Sequence, residues 1–83
     1  MFRNKTQYQL VRYRVKLDGI SASLFSDFLI DMKVGRTTPD QLIRTALRTV
    51  GMKGAEYHKT SAPVGQVRAE IYEGGSLLIE KVV

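Results

Sequence analysis

The chain has no cysteine, a single histidine, His58, and only two prolines and seven glycines in 83 residues. Without cysteine there are no disulfides, no thiolate zinc sites and no thiol catalysis. So little proline and glycine argues against a linker or a fibrous sequence. Long hydrophobic runs are also missing. Stretches such as Leu77 to Ile79 are far too short to span a membrane, and no signal peptide is apparent, so the expectation is a soluble, cytoplasmic protein without membrane contact. With 43% apolar and 25% charged residues, the composition is that of an ordinary globular chain, and 83 residues make one small domain.

The net charge of +5 is unevenly distributed. Residues 1–53 carry ten cations against Asp18, Asp27, Asp31 and Asp40, a balance of +6, whereas residues 54–83 balance at −1. A basic segment followed by a near-neutral one points to an anionic partner for the first part, nucleic acid foremost. A moderate positive charge that merely keeps a small protein soluble is the plainer alternative.

Residues 1–7 show no periodicity and read as a basic arm. From Gln9 to Leu17 the sequence alternates, with Val11, Tyr13, Val15 and Leu17 on one side and Arg12, Arg14 and Lys16 on the other, which predicts an amphipathic strand. Asp18 and Gly19 end it. Ser21 or Ser23 is then placed to cap a helix with apolar positions Leu24, Phe25, Phe28, Leu29 and Met32, stopped by Val34 and Gly35. A second helix has a sharper start. Thr38, Pro39 and Gln41 combine an N-cap hydroxyl, a proline at the first helical position and a reciprocal capping residue, ahead of the apolar face Leu42, Ile43, Ala46, Leu47 and Val50. Arg44 and Arg48 lie together on its polar face, and Gly51 and Gly54 close it. Beyond, residues 55–59 form a weak strand, and residues 66–73 and 76–83 form a hairpin about Gly74 and Gly75. The 8–53 part thus reads as strand, helix, helix and the 54–83 part as β-rich, within one α+β domain.

Catalytic machinery is hard to assemble from these residues. The carboxylates are scattered singly, His58 has no companion ligand at helical spacing, Ser21, Ser23 and Ser26 sit where caps are expected, and no glycine-rich phosphate loop follows a strand. The expectation is therefore a protein that is not an enzyme and has no cofactor, metal or small-molecule substrate. The informative group is Arg12, Arg14 and Lys16. On one face of a strand they project about 6 to 7 Å apart, given a rise of roughly 3.3 Å per residue. Arginine and lysine donate to guanine O6 and N7, and a two-stranded ribbon fits the DNA major groove. A solvated sheet face carrying long cations is the structural alternative.

Over about residues 8–50 the chain resembles the ribbon-helix-helix family of DNA-binding proteins. The alternation of Leu10 to Leu17 carries the likeness, together with Val34-Gly35-Arg36-Thr37-Thr38 leading into Leu42-Ile43-Arg44-Thr45-Ala46-Leu47-Arg48. The resemblance implies an intertwined homodimer whose paired strands form a ribbon, with Arg12, Arg14 and Lys16 reading bases. It also implies a phosphate held by Arg36, Thr37 and Thr38 at the start of the second helix, where an anion is favoured in any case. The implied function is sequence-specific binding of double-stranded DNA as a small transcriptional repressor or a plasmid or phage accessory protein. On this reading the 66–83 hairpin is an accessory packed on the helices.

A competing arrangement pairs the N-terminal strand with the C-terminal strands in one chain, giving a single antiparallel sheet with two helices on one face. No ribbon would then form, and a protein-interaction module, whether inhibitor, adaptor or assembly protein, becomes the natural function. An RNA-binding sheet is disfavoured because Tyr8, Tyr13, Tyr57 and Tyr72 form no clear stacking row.

Overall fold

The polar and apolar alternation of Leu10–Asp18 does form a strand, β1, in the computed structural model, which describes residues 9–20 and 27–82. The other elements are β2 (Asp27–Lys33), α1 (Pro39–Thr49), β3 (Tyr57–Thr60), β4 (Gln66–Ile71) and β5 (Ser76–Val82). All five strands form one antiparallel sheet in the order β2-β1-β5-β4-β3. α1 lies across one face of it, against β2, β5 and β4.

This architecture corrects the ribbon-helix-helix expectation in three places. The predicted first helix is instead a strand where it is described. In Asp27–Lys33 the residues turned inward are Phe28, Ile30 and Met32, and those turned outward are Asp27, Leu29, Asp31 and Lys33, a period of two. Leu29, assigned to the apolar face of a helix, is 53% exposed, whereas Ile30 is 8% exposed. The period of two won because β1 offers an edge that needs a partner, and β2 pairs with it from Leu10↔Lys33 to Lys16↔Asp27. The proposed caps Ser21 and Ser23, with Ser26, Leu24 and Phe25, lie outside the described residues, as does the basic arm of residues 1–7.

The second correction concerns the C-terminal hairpin, which is central rather than accessory. β5 pairs with β1 from Arg12↔Val82 to Asp18↔Ser76 and places Leu77 and Ile79 in the core. The third follows from the first two. β1 has β2 on one side and β5 on the other, so neither of its edges is open to form a ribbon with a second chain. The single-chain antiparallel sheet holds, with one helix on its face among the described residues.

α1 begins as its sequence predicts. The Thr38 hydroxyl accepts from the Gln41 N–H at 3.2 Å, and the Thr38 N–H donates to Gln41 Oε1 at 3.0 Å, closing a capping box ahead of Pro39. Leu42, Ile43, Ala46 and Leu47 are buried by this helix against Val15, Ile30, Ala69, Ile71, Leu77 and Ile79. Each such large aliphatic side chain stabilises the fold by about 1.5 to 3 kcal/mol. At the end of β1 the chain packs backbone on backbone. A side chain on Gly75, whose φ is +92°, would come within 2.6 Å of Ile20 Cγ1 and 2.9 Å of the Asp18 carbonyl.

Candidate nucleic-acid interface

The sheet has two chemically different faces. The helix side is apolar. The open side carries the cation stripe of β1, but the neighbouring strands set a carboxylate against every member of it. Register puts Asp31 opposite Arg12, Asp27 opposite Lys16 and Glu80 opposite Arg14. The Arg12 guanidinium forks onto Asp31, Nε to Oδ1 at 2.9 Å and Nη2 to Oδ2 at 3.2 Å. This hydrogen bonding holds the Asp31 carboxyl below its ordinary range and raises Arg12 further. Lys16 Nζ stands 3.7 Å from Glu80 Oε1, and the other Glu80 oxygen accepts from Gln66 Nε2 at 2.8 Å. The stripe is therefore a mosaic of matched charges rather than a positive surface.

Positive charge is concentrated elsewhere. Between Lys33 and Lys53 the sequence carries Lys33, Arg36, Arg44, Arg48 and Lys53 against the single carboxylate Asp40, a net of +4. Folding gathers these residues around α1. A groove of about 600 Å³ between α1 and the end of β2 is lined by Lys33, Arg36, Arg44 and Arg48, with Asp31, already forked by Arg12, as its one carboxylate. On the other side of the helix a hollow of about 340 Å³ is lined again by Arg44 and Arg48, now with Lys53 and Tyr57. The two arginines, one helical turn apart, form a ridge between two depressions. Gln41 and Thr45 stand on the groove side of that ridge.

Asp40, the acid within the basic segment, is turned toward the sheet. Its Oδ1 accepts from the Tyr57 hydroxyl at 2.7 Å, and its Oδ2 lies 3.6 Å from Lys59 Nζ. The Tyr57 hydrogen bond, aided by Lys59 and Arg44, keeps the Asp40 carboxyl below its usual range. Burial, and then the Asp40 contact, raise the Tyr57 phenol. The carboxylate thus clasps α1 to β3 while its charge is balanced locally.

The residues implied as a phosphate site lie at the groove's upper end and have local duties as well. Arg36 and Thr37 line the groove. The Thr37 hydroxyl donates to the Lys33 carbonyl at 2.7 Å. The Thr38 hydroxyl and N–H are both engaged by Gln41, and Pro39 has no N–H to offer. The base readers implied by the resemblance, Arg12, Arg14 and Lys16, occupy the opposite face of the sheet from α1. Sequence reasoning noted the Arg44 and Arg48 pair but missed Lys33 and Lys53 as its companions. The run of five cations with one acid from residue 33 to residue 53 was the signal available.

Comparison with protein families, with curated proteins and with solved structures gives no match for this chain. Any functional reading therefore rests on the geometry above. Among the described residues, no three His, Asp or Glu side chains converge as metal ligands, and no helix is long and apolar enough to cross a membrane.

Proposed function

We propose that this is a cytoplasmic protein that binds double-stranded DNA through the exposed face of α1. The observation that carries this reading is the concentration of Lys33, Arg36, Arg44, Arg48 and Lys53 around one helix whose nearby carboxylates are already partnered. A helix fits the major groove, which is about 12 Å wide. α1 has 11 residues and offers Arg44, Thr45 and Arg48 along one face, Arg48 four and three residues beyond the other two. Arginine is suited to guanine O6 and N7, and threonine to a base edge of either kind or to the thymine methyl. Lys33, Arg36 and Lys53 flank the ridge and suit phosphate contacts, which orient a protein on the duplex without reading sequence.

Binding of a labelled duplex followed by fluorescence anisotropy at low salt tests the reading. The parent is expected to bind, and Arg44→Ala with Arg48→Ala to abolish most of the affinity. The triple variant Arg12→Ala, Arg14→Ala, Lys16→Ala is expected to retain it. Should the triple variant lose binding while the helix variant keeps it, base reading belongs to the β1 stripe. A parent that binds no duplex at low salt overturns the function. A protein-binding role then gains, favoured by the open sheet face, where Leu29 at 53% and Leu10 at 61% exposure stand among balanced charges.

A further inference from the structure

The hollow on the β3 side of α1 is made by the turn that ends the helix. The Met52 N–H donates to the Leu47 carbonyl at 2.8 Å, and the Ala55 N–H to the Met52 carbonyl at 3.0 Å. Met52 is thereby tucked against the core, and residues 53–55 double back to face Arg44 and Arg48 across the hollow. Two of those three residues are small. Gly54 has no side chain and Ala55 only a methyl, so the space between helix and strand stays open, with the buried Leu47 at its floor. Tyr57 supplies one wall. Its hydroxyl is donated to Asp40 at 2.7 Å, which fixes the phenol at its polar end and leaves the ring as the lining. The hollow is therefore divided chemically, apolar at floor and wall and cationic where Arg44, Arg48 and Lys53 meet it, with no carboxylate in its lining. Asp40, the acid behind the wall, is engaged by Tyr57 and Lys59.

Size and charge together define an occupant. A volume of about 340 Å³ lies near the lower end of the range of about 300 to 1,000 Å³ found for small-ligand sites. It admits one flat ring with its headgroup, whereas the stacked bases of a duplex cannot enter. Three cations without an acid among them exceed what a carboxylate would balance. A phosphate monoester carries about −1.5 to −2 charges at neutral pH and offers several oxygens to guanidinium forks. We propose that this hollow binds a nucleoside 5′-monophosphate, either free or as the phosphorylated 5′ end of a single strand. The base lies against Tyr57 and Leu47, and the phosphate is held by Arg44, Arg48 and Lys53. Every base has a π-face, so such a wall tolerates any of them, and selection falls on the terminal phosphate.

Isothermal titration of the full chain with adenosine 5′-monophosphate, in the absence of duplex, tests the site. The nucleotide is expected to bind about tenfold or more tightly than adenosine or inorganic phosphate, each of which lacks one half of the recognition. Ala55→Leu fills the hollow without touching a cation, so it should abolish binding and leave the circular dichroism spectrum unchanged. If Ala55→Leu does not fold, Lys53→Ala at an exposed position replaces it and should weaken the nucleotide about tenfold. Amide shifts in an NMR titration should centre on Lys53, Gly54 and Ala55. A trinucleotide with and without a 5′-phosphate separates the two sources: tighter binding of the phosphorylated strand than of the mononucleotide assigns the site to strand ends, and weaker binding assigns it to free nucleotide. A parent that binds neither the mononucleotide nor the phosphorylated strand overturns the proposal, as does one indifferent to the 5′-phosphate. Shifts centred on Arg36 and Thr37 overturn it as well, since they place the phosphate in the groove on the other side of the helix. No duplex is present in any arm, so failure here leaves the reading of α1 as a duplex-binding helix standing.

Discussion

Four single positions test the local physics most directly. Thr38 contributes through both its hydroxyl and its N–H, so Thr38→Ala should destabilise the protein by about 0.5 to 2 kcal/mol, read as a lowered melting temperature. Gly75 and Gly74 separate steric clash from backbone strain. Both have positive φ, but a Cβ on Gly75 meets Ile20 and the Asp18 carbonyl, whereas one on Gly74 meets nothing within 4 Å. Gly75→Ala should therefore lower stability by about 1 to 3 kcal/mol more than Gly74→Ala in urea unfolding. The clasp of Asp40 by Tyr57 has a defined pH signature. The folded pKa of Asp40 is depressed, so the unfolded chain takes up its proton first as pH falls. Its contribution is complete above the ordinary carboxylate value near pH 3.9 and is lost as pH drops through the lower folded value. Tyr57→Phe removes the main cause of the depression and should flatten the acid limb of a stability against pH curve, leaving its shape near neutrality unchanged.

At the scale of elements, the C-terminal hairpin decides whether the chain folds at all. β5 fills the position beside β1 in the middle of the sheet, and Ala69, Ile71, Leu77 and Ile79 make up much of the core. Truncation after Gly54 should leave a chain without native circular dichroism, since α1 would lose most of the surface it covers. What could be read from the sequence follows the same division. β1, α1 with its capping box, and the hairpin turn are local patterns, and each was legible. β2 was not, because Leu24, Phe25, Phe28, Leu29 and Met32 fit a helical stripe as well as Phe28, Ile30 and Met32 fit a strand. A neighbouring β1 edge that needs a partner settles the ambiguity, and a sequence window does not contain that information. The candidate interface was half legible for a similar reason. Arg44 and Arg48 are neighbours by helical spacing alone, but Lys33 joins them only because β2 ends beside the helix. Conversely, the β1 stripe read as a free positive face because Asp27, Asp31 and Glu80 reach it from other strands.

At the scale of the whole molecule, the distribution of charge matters more than its total. Residues 33–53 carry +4 against the net +5 of the chain, and on the open sheet face Asp31, Glu80 and Asp27 stand opposite Arg12, Arg14 and Lys16. This makes a quantitative prediction about salt. Each phosphate neutralised on a duplex releases condensed counterions, and the logarithm of the binding constant falls against the logarithm of salt with a slope of about −0.9 per contact. If about four cations around α1 meet phosphates, the slope should be near −3.6, and a fourfold rise in salt should weaken binding by about 150-fold. Lys33→Ala with Lys53→Ala removes two flanking contacts and should make the slope shallower by about two, with the loss equal for all duplex sequences. Thr45→Ala should behave otherwise, leaving the slope unchanged while reducing the difference in affinity between duplexes, because a base contact carries discrimination of about 1 to 3 kcal/mol and releases no counterion. A slope near zero for the parent would mean that the basic ridge meets no polyanion, whatever else the protein binds.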